Sequence, residues 1–120
     1  MPYMPADAVA ARRTAIRAAF PRKDGWDVSV TRDGHSGVLV TFKAGPVPLT
    51  ASADGYEQVN PHYIDKYAVS PEAAAVLKKA RAIINDGNDT LYESSDYGSI
   101  PRFYIGIHVG AFRAPYRVQQ

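Results

Sequence analysis

The stretch that most limits what this chain can become is Arg102-Phe103-Tyr104-Ile105-Gly106-Ile107-His108-Val109-Gly110. Phe103, Ile105, Ile107 and Val109 recur with a period of two, and polar or small residues fill the gaps. Successive side chains of a strand point to opposite faces, so this alternation predicts a strand with one buried face that closes the core. Such a strand needs a sheet to join and helices to cover it.

Both are legible upstream. Trp26, Val28 and Val30 alternate with Asp27, Ser29 and Thr31, and Val38, Val40 and Phe42 alternate with Leu39, Thr41 and Lys43. The turn-rich Asp33-Gly34-His35-Ser36-Gly37 between them predicts a hairpin. Gly45-Pro46-Val47-Pro48 ends its second strand, because proline cannot donate to a ladder. Leu49 to Ala51 reads as a short edge strand.

Asp7 is placed to cap a helix over Ala8 to Ala19, closed by Pro21, with Val9, Ile16 and Phe20 on one stripe. Ser70-Pro71-Glu72 starts a second helix, with a serine cap, proline at the first helical position and an acid in the first turn. Its apolar face is Ala73, Val76, Leu77, Ala80, Ile83 and Ile84, and Gly87 is placed to stop it. Lys78, Lys79 and Arg81 fall outside that face.

Ala53 to Val69 reads as an irregular connection anchored by Tyr56, Tyr63, Ile64 and Tyr67. Asn88 to Ser99 reads as a polar loop, and Phe112, Pro115 and Tyr116 as a tail packing back on the body. The expected fold is therefore α+β: a small antiparallel sheet, the hairpin plus the C-terminal strand, packed on one face by two helices. At 120 residues it is expected to be a single domain over residues 1–120.

The chemistry-bearing residues are sparse. The absence of cysteine leaves neither a disulfide framework nor a thiolate zinc site. His35, His62 and His108 lie in a turn, a loop and a strand, without the i, i+4 pairing of a helical metal site. Asp86-Gly87-Asn88-Asp89-Thr90 departs from a calcium loop, with Leu91 where the turn glycine belongs and Tyr97 where the bidentate glutamate belongs. His35-Ser36 is adjacent in sequence, and adjacent side chains on an extended chain point apart. No glycine loop for phosphates is present. The expectation is a non-enzyme with no cofactor and no metal. Met1 to Pro5 lacks a secretion-signal pattern, and no apolar run nears the ~18 residues of a membrane span, so a cytoplasmic protein is expected.

The net charge of +2 is unevenly spread. Residues 1–53 carry seven basic and four acidic side chains, residues 54–96 four and eight, and residues 97–120 three and none. An acidic middle could face one partner and basic termini another, or all could be dispersed solvated charges. Asp86, Asp89, Glu93, Asp96 and Tyr97 are the candidates for a protein partner. In the structural alternative, Ser95 and Asp96 serve a turn and Tyr97 joins the core. Arg12, Arg13, Arg17, Lys43, Arg113 and Arg117 are the candidates for phosphate contacts. Arginines flanking a helix stripe also lay their stems over the core edge, or keep an alanine-rich helix soluble.

Ala18-Ala19-Phe20-Pro21, Val59-Asn60 to Ile64-Asp65, Ser70-Pro71-Glu72-Ala73, Ser95-Asp96-Tyr97, Phe103-Tyr104-Ile105 and Val109-Gly110-Ala111-Phe112 with Pro115-Tyr116 follow in an order that resembles one family. It is the twenty-ninth of the large polyvalent protein-associated domains, and the likeness runs from about Ala11 to Val118. The chain departs in the Asn88 to Ser94 loop and in Phe112, where that family is expected to carry tryptophan. The resemblance implies a phage or plasmid context and a small accessory or anti-defence protein in the bacterial host. It implies no catalytic residues. The expected function is stoichiometric inhibition of a host defence component, in the manner of an anti-CRISPR or anti-restriction protein, by a monomer or homodimer. The alternative is a nucleic-acid-binding accessory module.

Overall fold

The computed structural model describes residues 4–34, 36–51, 55–61, 63–86, 90–94, 98–101, 103–111 and 114–118, and for 90–94 and 98–101 the backbone alone. The fold is α+β, a mixed five-stranded sheet packed by helices, with a separate two-stranded ribbon.

Helix α1 spans Ala6–Ala19. It starts two residues before the expected Ala8, because Pro5 rather than Asp7 occupies the cap position. Asp7 instead sits in the first turn and accepts a hydrogen bond from the Ala8 N–H at 3.0 Å, where a carboxylate favours the positive end of the helix. The helix ends at Phe20, ahead of Pro21, and buries Val9 and Ile16. Helix α3, Pro71–Ile84, follows a short helix α2, Ile64–Tyr67. Ser70 caps α3 by accepting from the Ala73 N–H at 3.0 Å, a cap worth about 1 kcal/mol. Its buried face is Ala73, Ala74, Leu77, Ala80 and Ile84. The expected stop at Gly87 lies outside the described residues, and the helix gives out at Asn85.

Strands β1 (Asp27–Asp33) and β2 (Gly37–Gly45) form the expected antiparallel hairpin. The alternating stretch forms β6, Tyr104–Val109, and here the sheet differs from expectation. β6 does not close an antiparallel edge; it lies inside the sheet, parallel to β2, and β3 (Glu57–Val59) pairs with its other side antiparallel. The sheet is mixed, in the order β1-β2-β6-β3. A parallel neighbour requires a long crossover, and residues 46–103 supply it.

Register lines up the core in rows. Val30, Val40, Ile107 and Val59 stand abreast, and Val28, Phe42 and Val109 form the next row. Both helices contribute to the same hydrophobic cluster, through Val9 and Ile16 on α1 and Leu77 and Ile84 on α3. Burial of each large aliphatic side chain there contributes roughly 1.5–3 kcal/mol. Phe20, Trp26 and Phe42 close one end as edge-to-face rings, with centroids 5.0, 5.5 and 6.0 Å apart. The opposite face carries Ser29, Thr31, Leu39, Thr41, Lys43, Tyr104, Gly106, His108 and Gln58, none of them buried.

Two presumed loops contain structure. The Ala53 to Val69 connection holds β3 and α2, and the presumed polar loop Asn88 to Ser99 holds most of an antiparallel ribbon, β4 (Thr90–Ser94) with β5 (Gly98–Pro101). Leu49 to Ala51 is not a strand, although Leu49 is fully buried. The tail packs back through Tyr116, and Phe112 lies outside the described residues. After β6 the chain turns at Gly110, and β7 (Arg117–Val118) returns to β2 beyond the end of β6. Gly110 has φ +72, and a Cβ there would meet the Gly55 carbonyl oxygen at 2.1 Å. Only glycine fits that turn. The Tyr116 N–H donates to Gly55 O at 2.8 Å and its hydroxyl to Val47 O at 2.6 Å.

Candidate functional site

Two of the arginines offered for phosphate contact, Arg12 and Arg13, are committed to the backbone. Arg12 reaches from α1 to the C-terminal end of α3, donating from Nε to Ile84 O at 2.9 Å and from Nη2 to Asp86 O. A helix end leaves carbonyls without intrahelical donors, and the guanidinium satisfies them in a fork. Nη1 also donates to Ala8 O at 3.1 Å, and the guanidinium carbon lies 4.7 Å from the centre of the Phe103 ring, at the entry to β6. Desolvation lowers the Arg12 pKa, against an opposing pull from Asp86. Arg13 donates from Nε and Nη2 to Val30 O, at 3.1 and 3.0 Å, on β1. Arg12 and Arg13 therefore join α1 to α3 and to the sheet rather than facing outward. Arg17, Lys43 and Arg117 are exposed, and Arg113 lies outside the described residues. Arg117 stands 3.9 Å from Asp27, which also meets Arg22 at 3.7 Å.

Of the acidic candidates, Asp86 is exposed just past α3. Glu93 lies on β4, where the backbone alone is described, and Asp89, Asp96 and Tyr97 lie outside the described residues. His35 and His62 do too. His108 is half-buried on β6, with the Tyr56 ring edge-on at 6.1 Å, and Gln58 Nε2 donates to the Tyr56 hydroxyl at 2.7 Å. Among the described residues no group of histidines and carboxylates is placed to hold a metal.

The surface that gathers unusual residues is the corner where β3 ends, α2 begins and β6 runs past. Tyr63 is 55% exposed, with Tyr67 and Val69 exposed as well, while Tyr104, 54% exposed, stands on the outer face of the sheet. Tyr63 and Tyr67 were expected to anchor the connection. Of the expected anchors Ile64 is buried and Tyr56 half-buried, while the Tyr63 and Tyr67 rings are exposed. Two hollows meet at Pro61. A groove of about 420 Å³ runs along Pro61, Tyr67, Ile105, Gly106, Ile107 and His108. A smaller hollow of about 220 Å³ is lined by Tyr63, Asp65, Lys66, Lys78 and Arg81. Asp65 is held by Lys78 at 2.8 Å, Lys66 lies 5.2 Å from the Tyr63 ring centre, and Arg81 Nε is buried with no hydrogen-bond partner among the described residues.

Tyr104 could have been found from sequence, because it fills a gap in the alternation that sets the buried face of β6. Tyr67 carried no such sign. Comparison with family models, with curated proteins and with solved structures returned no match. No helix among the described residues is long and apolar enough to cross a membrane.

Proposed function

We propose that this chain acts by binding a macromolecular partner stoichiometrically, as a mobile-element accessory protein that inhibits a host defence component. The observation that carries the binding reading is the pair of exposed tyrosines, Tyr63 and Tyr67, beside the two hollows that meet at Pro61. Tyrosine offers a large rigid contact at small entropic loss and is enriched at interfaces. The defence context comes from the resemblance to the polyvalent-protein domain, and the acidic residues Asp86, Asp89, Glu93 and Asp96 are the proposed complement to a basic surface of the target.

Affinity capture from a bacterial host lysate tests the proposal, with and without nuclease and at two salt concentrations. A defence-complex subunit retained after nuclease treatment is the expected result. Recovery of nucleic acid alone, lost as salt rises, would overturn it in favour of the nucleic-acid module. Neutral substitution of the four acidic residues separates the parts: inhibition left intact removes the acidic surface and leaves the tyrosine corner.

A further inference from the structure

Hydrogen-bond directions on β6 identify a backbone position at the edge of the sheet that no described strand pairs on the β3 side. The Tyr104 N–H donates to Ser36 O and the Gly110 N–H to Phe42 O, both on the β2 side. Alternate residues of a strand present their backbone groups to alternate sides, so Ile105, Ile107 and Val109 turn theirs toward β3. β3 covers two of these three, with Val59 opposite Ile107 and Glu57 opposite Val109. Continuing that register by two residues sets Pro61 opposite Ile105. Proline has no N–H to give, and the chain turns away there. The groove lined by Gln58, Val59, Pro61, Tyr67 and Ile105 to His108 runs along the paired end of the ladder and on to Ile105 beyond it.

The other edge is treated differently. On β1, Arg13 places two donors on the Val30 carbonyl, which occupies an outward acceptor and blunts that edge against further pairing. No described strand does this for Ile105.

We propose that the open half of the β6 edge takes an extended acidic segment of a partner protein as an added strand, hydrogen-bonded to Ile105. This deepens the partner-binding reading and rests on it. Strand addition draws affinity from the main chain and specificity from pockets beside it. The pocket here is the smaller hollow across Pro61, where Lys66, Lys78 and Arg81 face a single acid, Asp65, already held by Lys78. An aspartate or glutamate on the added segment would meet Lys66, with the Arg81 guanidinium in the wall of the hollow.

The probes are a short acidic peptide, Thr-Val-Glu-Val-Glu-Val-Thr, its lysine counterpart, and the acidic peptide N-methylated at alternate residues, each titrated into isotope-labelled full-length protein to about 1 mM, the range for a contact this small. The acidic peptide should shift the Ile105 amide resonance and slow its exchange. Arg81→Gln with Lys66→Gln should weaken binding about tenfold, the loss of one charge-assisted contact. Equal binding by the lysine peptide would overturn the acidic specificity, and equal binding by both N-methylated registers would overturn strand addition. Absence of any shift at Ile105 would overturn the site, as would protection of Ile105 by self-association without peptide. A partner captured equally well from lysate by the Arg81→Gln, Lys66→Gln variant would leave the binding reading standing and remove this mode. Peptide binding with no lysate partner would do the reverse.

Discussion

Replacing Arg12 by alanine separates a structural clamp from a ligand contact. The side chain makes two hydrogen bonds between elements, to Ile84 O and Asp86 O, and a third to Ala8 O within its own helix. A bond from a charged donor is worth about 1.5–3 kcal/mol. Asp86 is exposed, so water can replace the donor at its carbonyl, and the Ala8 carbonyl keeps its helical partner. The Ile84 carbonyl follows a fully buried side chain and bears the main loss, about 2 kcal/mol. Removal of the cation over the Phe103 ring adds about 0.5–1 kcal/mol. The expected destabilisation is therefore about 2–3 kcal/mol, or roughly 10 °C in melting temperature for a domain of this size. Urea unfolding followed by fluorescence of Trp26, the single tryptophan, measures it, because that ring is buried against Phe20 and Phe42. Arg17→Ala, on an exposed position of the same helix, should change stability by less than about 0.5 kcal/mol. If the two variants are equally stable, the clamp is refuted. Arg12→Lys discriminates further, since it keeps the charge and loses the fork, and should recover less than half of the loss.

Gly110→Ala sets a Cβ 2.1 Å from Gly55 O at positive φ and should destabilise by more than about 2 kcal/mol, measured by the same unfolding curve. Gly45→Ala points a methyl at the Trp26 ring, 2.5 Å away, and should shift the emission of that tryptophan as well as lower stability by about 1–3 kcal/mol. Burial pushes the Tyr116 pKa up to about 12 from 10. The proton is held more firmly in the folded chain, so this contribution to stability is whole below pH 10 and is lost as pH rises toward 12. Tyr116→Phe should flatten that fall, read by denaturant midpoints across the interval, while lowering stability at neutral pH by about 1 kcal/mol through the lost bond to Val47 O.

Local pattern carried the parts of this fold that local energetics decide. The hairpin follows from two alternating runs and a turn cluster, and α3 follows from a serine cap, a proline and one apolar face. The neighbours of β6 did not follow, because its alternation fixes which face is buried and leaves open which strand lies alongside. β3 was missed since Glu57-Gln58-Val59 is three residues with one apolar member, and its stability comes from pairing with β6. The β4–β5 ribbon was missed because Thr90, Glu93, Ser94 and Ser99 read as loop chemistry. Arg12 and Arg13 were correctly placed beside the helix stripe, yet their acceptors are main-chain carbonyls, which have no residue type to signal them. The outward side of Tyr104 on β6 was readable, and the exposure of Tyr67 on α2 was not.

The parallel seating of β6 against β2 also shapes how the chain reaches its native state. β1 and β2 meet across a short turn and can pair early, but β6 must return over some sixty residues to lie beside Val40 and Phe42. Closing a loop of that length is entropically unfavourable until β6 is docked. On the ribosome the hairpin emerges first and waits with one of its long edges unpaired. Folding should accordingly be limited by the arrival of β6, so Ile107→Val should slow refolding more than it speeds unfolding.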